Sequence, residues 1–200
     1  MALTLLRTAG IAGSVTLALL CSSCSADAEE ENPVDRVKAA FASSYGIASS
    51  KVDVKIGAVV NECRYYSAST TAVTDVGSQT FVVLPDSRLF GKVPGSLENA
   101  TAVLRACSTG QSATQWARDI VDFSSVIYAA PITDPATARE PVATVHAAGL
   151  EFFAPQLTTT GDSTVVKFYS RNVGFTAPAV HYVEATLPDN GTLRVDARKL

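Results

Sequence analysis

The sequence predicts an α+β fold in which an N-terminal helix and a central pair of helices pack on an antiparallel sheet. Helical and strand patterns occur in separate runs along the chain, whereas a parallel α/β sheet requires them to alternate. One strand, Lys51 to Val60, alternates between charged and apolar residues, and an antiparallel sheet allows one such face to meet water. The 200 residues, 47% of them apolar and 18% charged, are enough for one self-sufficient core.

The first 28 residues have the pattern of an export signal and a tether. One positive charge lies within Met1 to Arg7, and the apolar run from Thr8 to Leu20 that follows is too short to cross a membrane. An A-x-A pattern ends at Ala28, and cleavage after this residue would release a secreted chain. Residues 29–200 are then expected to form a single mature domain.

A second processing site has the residues of a lipid anchor. Ser22-Ser23-Cys24 resembles a bacterial lipoprotein signal, which implies cleavage before Cys24, acylation of that cysteine and a tethered mature chain. The sequence departs from that signal at Cys21, where a leucine is usual. The polar, acidic segment 25–32 suits a tether. Both fates stay open, and membrane contact is expected only through this N-terminal anchor.

The cysteine count also favours export. Cys21 and Cys24 belong to the leader, so the mature chain keeps Cys63 and Cys107. Two cysteines in an exported chain most simply form one disulfide, although two buried free thiols are the alternative. A zinc site would need two further ligands, and neither of the two histidines has the required spacing. We therefore expect no metal and no cofactor.

Capping residues define the N-terminal helix from Asn32 to Gly46. Asn32 can cap it, Pro33 fits the first helical position, and Gly46 suits a left-handed stop. Strands are expected to follow, and their apolar patterns cover residues 51–60, 63–68, 80–84 and 89–93.

The central helix pair has equally clear N-termini. Ser96 caps a helix over Leu97 to Ala106, and Ser112 with Gln115 forms a capping box for a helix over Ala113 to Phe123. Each helix carries an apolar stripe at helical spacing, which would face the sheet.

Strand patterns dominate after Val126. We expect a strand at 126–130, a loop at 132–141, an apolar strand-like stretch at 142–153, a polar turn at 157–163 and a strand at 164–170. A terminal hairpin is the clearest element: strand residues 179–187 lead into a turn containing Asn190-Gly191, and residues 193–197 return.

No motif for a known chemistry is present. The sequence lacks a phosphate-binding loop, a nucleophile elbow, a zinc-protease helix, a calcium loop and a dinucleotide fingerprint. His146 and His181 are the only histidines, so a hydrolase that uses an imidazole as its base would have to use one of them. Tyr182 and Glu184 would occupy the opposite, wetter face of the strand that carries His181.

Two further side chains of the second central helix have simple interpretations. Trp116 lies on its apolar stripe and is expected in the core, whereas Asp119 lies with the charged residues of the polar side, where we expect solvent.

These observations predict an exported, lipid-anchored envelope protein that is a non-catalytic binding or structural domain. Its partner would be a protein or an envelope component of unknown identity. Nucleic acid is not expected, because the net charge is −3 and no Lys/Arg run exceeds two residues. The alternatives are a small extracytoplasmic hydrolase using His146 or His181, and a secreted inhibitor that presents the loop 132–141.

Overall fold

The computed structural model describes residues 31–74, 76–126, 130–172 and 179–200, which form four α helices and two antiparallel sheets. The α+β class that the sequence predicts is therefore confirmed. In chain order the elements are α1 (Pro33–Tyr45), a 3₁₀ turn (Ser49–Lys51), β1 (Asp53–Val60), β2 (Cys63–Ser69), β3 (Gln79–Val83), β4 (Leu89–Gly91), α2 (Leu97–Cys107), α3 (Ala113–Phe123), β5 (Ala130–Pro131), α4 (Arg139–Ala147), β6 (Gln156–Thr160), β7 (Ser163–Asn172), β8 (Ala179–Pro188) and β9 (Arg194–Lys199).

The first sheet has the strand order β1-β2-β3-β4, and α1 packs on one of its faces. The caps of α1 are those that the sequence predicts. The Asn32 side chain accepts a hydrogen bond from the Val34 N–H at 3.0 Å, and Gly46 adopts a left-handed conformation with φ +63°. Phe41 on the buried side of α1 stacks at a tilt on Phe81 of β3, with ring centroids 6.4 Å apart.

The second sheet has the order β5-β7-β8-β9, and β6 also pairs with β7. Its longest ladder joins β7 to β8 through ten residue pairs, from Ser163 opposite Pro188 to Asn172 opposite Ala179. The predicted terminal hairpin is present as β8 and β9. The sequence suggested a single sheet, but its strands divide into two, because the strands before and after the helix pair do not pair with one another.

The helix pair contributes to one buried cluster that both sheets share. From the first sheet this cluster takes Val82, and from the second sheet it takes Phe168 and Val183. The Ser96 N–H donates to the Phe123 carbonyl at 2.9 Å, so the start of α2 meets the end of α3 and the pair is antiparallel. The two helices therefore form a layer that packs on both sheets.

Cys63 and Cys107 form the disulfide that the cysteine count predicts. Their Cα atoms are 5.7 Å apart, and both residues are completely buried. The bond connects the start of β2 to the end of α2. It thus fixes the helix pair against the first sheet.

The segment between the helix pair and β6 differs from the prediction. The sequence suggests residues 142–153, a long apolar stretch, as part of a run of strands, yet Arg139–Ala147 form α4. Only Pro141 and Val145 of this helix are buried, so its apolar stripe is too short to give a helical pattern. Below α4, Phe153 and Tyr169 form the core of a small aromatic cluster on the outer face of the second sheet.

Of two further predictions in this half of the chain, one needs correction and the other lies mostly outside the described residues. The predicted polar turn at 157–163 is mostly β6, an edge strand whose residues are all exposed and therefore show no apolar alternation. The actual turn is the pair Gly161-Asp162. Of the predicted strand 126–130, residues 127–129 lie outside the described residues, and Ala130 belongs to β5.

None of the helices in the described ranges is long and apolar enough to cross a bilayer.

We expect that replacing both Cys63 and Cys107 by Ser lowers the free energy of unfolding by about 2–4 kcal/mol, because the disulfide closes a loop with a sequence separation of 44. Chemical unfolding without reductant measures this difference. Wild-type protein in reductant should resemble the double variant. An unchanged unfolding midpoint in both samples would contradict the stabilising role of the bond.

Candidate functional site

A buried carboxylate lies where the helix pair meets the first sheet. Asp119 of α3 is only 1% exposed, and its two oxygens accept hydrogen bonds from three side chains. The donors are Ser108 Oγ at 2.7 Å, Gln115 Nε2 at 2.9 Å and the Tyr65 hydroxyl at 3.2 and 3.3 Å. These donors come from the α2–α3 connection, from one turn earlier in α3 and from β2. The expectation that Asp119 meets solvent is therefore wrong.

The same network continues to the disulfide. Ser108 directly follows Cys107, and its carbonyl accepts a hydrogen bond from Trp116 Nε1 at 2.8 Å. From the β1–β2 turn, Asn61 Nδ2 donates to the carbonyls of Cys107 at 2.7 Å and Thr109 at 2.8 Å. The connection between α2 and α3 is thus held from both sides by polar contacts as well as by a covalent bond.

Burial dominates the electrostatics of this network. It raises the pKa of Asp119 from 3.8 to about 6, although hydrogen bonds from Ser108, Gln115 and Tyr65 act in the opposite direction. Burial and the neighbouring charge of Asp119 raise the pKa of Tyr65 far above its usual range. The tyrosine hydroxyl therefore keeps its proton and donates it in the hydrogen bond to Asp119.

A small pocket of about 210 Å³ adjoins the carboxylate between the β1–β2 edge and α3. Both oxygens of Asp119 already accept hydrogen bonds, from Ser108, Gln115 and Tyr65. Its neighbour Asp122 pairs with Lys92 at 3.5 Å. The hydrogen bonds of the carboxylate thus connect α3 to β2 and to the α2–α3 connection, and this arrangement indicates a structural role.

A larger groove lies between the helix connection and the second sheet. Its volume is about 510 Å³, within the range of small-molecule sites. The floor is apolar and consists of Leu104, Trp116 and Leu187, of which the tryptophan is 7% exposed. On one rim Leu157 of β6 is 38% exposed, and the threonine Thr159 lies beside it.

The other end of the groove is built around Arg105. Its Nη2 atom donates to the carbonyls of Pro188, Asp189 and Gly191 at 3.1, 2.9 and 2.7 Å. These contacts hold the β8–β9 turn against α2 and make it a wall of the groove. The guanidinium makes these contacts with neutral carbonyls, and the residues that line this end include one basic residue, Arg105, and one acidic residue, Asp189.

The histidines that the sequence offered as bases lie away from the groove. His146 is exposed on α4, and His181 of β8 lies opposite Ser170 of β7. His181 Nδ1 and Ser170 Oγ are both buried without a hydrogen-bond partner, and Ser170 is completely buried. His181 is half-buried, whereas the Ser170 hydroxyl is fully enclosed and has no access for a substrate in this arrangement.

The other residues that the sequence suggested for a site form no binding cluster in the described residues. Cys24 lies outside the described residues. Tyr182 and Glu184 share a face as expected, but they contact each other at 3.1 Å, and Lys167 pairs with Glu184 at 3.2 Å. Within the described ranges, no cluster of three or more His, Cys, Asp or Glu side chains could hold a metal ion.

Sequence reasoning missed both the network and the groove. Trp116 is in the core as expected, but a pattern within α3 cannot reveal that Tyr65 and Ser108 reach Asp119 from distant positions. The one local signal is the spacing of four between Gln115 and Asp119, which lets two side chains meet on a helix. One rim of the groove is formed by β6, and the polar sequence of this strand predicts a turn instead.

We expect Asp119→Asn to change the pH dependence of stability. The pKa of Asp119 is higher in the folded state than in the unfolded state. The protonated carboxyl therefore stabilises the fold fully below pH 3.8, and this stabilisation is lost as the pH rises through about 6. The variant does not titrate there. The unfolding free energy of the variant minus that of wild type should therefore increase by about 3 kcal/mol from about pH 3.5 to pH 7. Urea unfolding across this range measures the gain, and parallel profiles would contradict the raised pKa.

Comparison with known proteins identifies no counterpart for this arrangement. No protein-family model, curated protein or solved structure matches the chain. The function must therefore be inferred from the geometry of the chain's own residues.

Proposed function

We propose that this chain is an exported, lipid-anchored, non-catalytic domain that binds an envelope component in the groove above Trp116. The observation that supports it best is the groove itself, since an apolar floor with a few polar groups at its rim is typical of ligand sites. Neither histidine lines it. Binding is therefore favoured over hydrolysis at this position.

The groove also favours a class of ligand. Leu104, Trp116 and Leu187 offer an apolar surface, and Arg105 offers a positive charge at one end. A molecule with an apolar body and an acidic group fits both features. Threonine hydroxyls on the rim can hydrogen-bond to polar groups along the body.

Export and anchoring are supported by different residues. The buried disulfide is compatible with an extracytoplasmic location, because such bonds persist in oxidising compartments. The leader and the cleavage pattern before Cys24 add the lipid anchor to this proposal. Such an anchor would keep the groove near the envelope surface.

The single tryptophan makes the groove testable without a label. We expect anilinonaphthalene sulfonate, which has an aromatic body and one acidic group, to quench the emission of Trp116 saturably. Its uncharged analogue phenylnaphthylamine should bind severalfold more weakly at low salt, and the difference should shrink at high salt as Arg105 is screened.

Two variants locate the binding. Leu157→Glu removes an apolar rim residue and adds a charge that repels the sulfonate, so affinity should fall at least about tenfold. Val126→Glu is the matched control, because Val126 is also a large apolar residue, 45% exposed, but does not line the groove, so this change should leave the affinity unchanged. Equal affinity of wild type and the Leu157 variant would overturn the groove as the binding site.

We expect Cys24 to carry the lipid. In a bacterial host, a fatty-acid probe should label the full chain, and Cys24→Ala should abolish labelling and release the protein from membranes. Cys21→Ala is the control and should remain labelled and bound. Multiple acyl chains make such anchoring stable, whereas a single chain gives only marginal affinity. A processed wild type that begins at Glu29 would contradict the anchor.

A further inference from the structure

The outer edge of β1 is the most exposed apolar surface in the described residues. β1 ends the strand order of the first sheet, so one edge of its backbone pairs with no other strand there. Ile56 and Val59 are 71% and 64% exposed, more than any other large apolar side chain in the described ranges. Edges of this kind favour pairing with a further strand.

The position of α1 explains this exposure. Ile56 lies beside Tyr66 and Phe81 in one row across the sheet, on the face that α1 covers. Tyr66 and Phe81 are buried under the helix, but the row extends beyond it to the edge strand. Ile56 is thus an apolar residue of a covered face that the helix does not reach.

A bulge limits how much of the edge can pair regularly. Ile56 lies opposite Tyr66, but Val59 lies opposite Arg64, so Gly57 and Ala58 together face one residue of β2. Bulges bend and twist a strand and interrupt regular pairing. Residues 53–56 of β1, before the bulge, remain the regular part of the edge.

We propose that this edge pairs with β1 of a second copy of the chain, antiparallel and with the two-fold axis at Val54. In this register Asp53 of each copy lies opposite Lys55 of the other. The two oppositely charged pairs are on the solvent-facing side of the strand. Cross-strand pairs of opposite charge stabilise a sheet, and like charges destabilise it.

The apolar side chains fit the same register. In this register Val54 lies opposite Val54 of the second copy, and Ile56 lies opposite Val52, which precedes β1 and is itself buried, at 4% exposure, in the cluster under α1. These residues share the face that α1 covers, so the partner would cover the exposed Ile56 side chain. Both faces of the segment are therefore self-complementary, as an isologous two-fold interface requires.

Two other edge strands, β9 and β6, fit a second copy less well. β9 carries Arg194, Arg198 and Lys199 against the single acidic Asp196, so two copies would repel. β6 contains no charged residue that could fix a register. Segment 53–56 is balanced, because Asp53 and Lys55 are its only charged residues.

Charge reversal tests the register directly. The full chain is produced with two different affinity tags in the same cells, the membranes are dissolved in detergent, and co-capture of one tag with the other is quantified. Wild type should co-capture wild type. Asp53→Lys and Lys55→Asp should each lose co-capture with themselves by at least about tenfold, because like charges then face each other.

Mixing the two variants gives the decisive result. When Asp53→Lys is paired with Lys55→Asp, every cross-strand pair again has opposite charges, so co-capture should return to the wild-type level. Ile56→Asp should reduce self-capture, whereas Leu157→Asp on the edge of the second sheet should not.

Three results would overturn the proposal: no co-capture of wild type, single reversals that self-capture like wild type, or a mixed pair as weak as the single reversals. Recovery in the mixed pair also shows that both variants fold, so misfolding cannot imitate the expected result.

Discussion

The connection between α2 and α3 is the constraint on which the rest of the structure depends. A disulfide joins the end of α2 to β2, and the next residue, Ser108, contacts Asp119 and Trp116 of α3. Both helices are therefore fixed at the same point. Because they pack against both sheets, their position at this point determines where each sheet can lie.

The hydrogen bonds at this connection restrict the position of α3 more narrowly than apolar packing does. Asp119 accepts hydrogen bonds from three different segments of the chain. A shift of α3 along its axis would separate the carboxylate from the two donors outside this helix, Tyr65 and Ser108, and a buried unpaired charge is costly. Apolar side chains tolerate small displacements more easily. The network therefore favours one position of α3 over neighbouring ones.

Local signals predicted most of the elements correctly. The caps Asn32, Ser96 and Ser112 and the Asn190-Gly191 turn act on residues within about four positions, so a sequence window contains the whole interaction. The division into two sheets depends on pairing over long distances, which no window contains. The same reason explains why the groove was missed, since its lining combines the helix pair with β6 and β8, which are far apart in sequence.

Elements with weak periodicity were predicted least well. α4 buries only two residues, and β6 buries none, so neither has an apolar pattern to indicate its type. Their composition then decided the interpretation, and it was misleading in both cases. Asp119 is the reverse case, because its helix has a clear pattern but this carboxylate is buried on the side expected to be polar.

The contacts between α2 and the terminal hairpin determine when the core can close. The Leu193 N–H donates to Thr101 Oγ1 at 2.8 Å across 92 residues, and Arg105 holds the turn before it. A chain that emerges from its N-terminus can form α1, the first sheet and the disulfide early. The side of the helix pair that meets the second sheet then stays uncovered until β7 and β8 appear. Folding of this domain is therefore complete only when its C-terminal strands are present. A chain that stops before β8 leaves apolar side chains of the helix pair exposed to water.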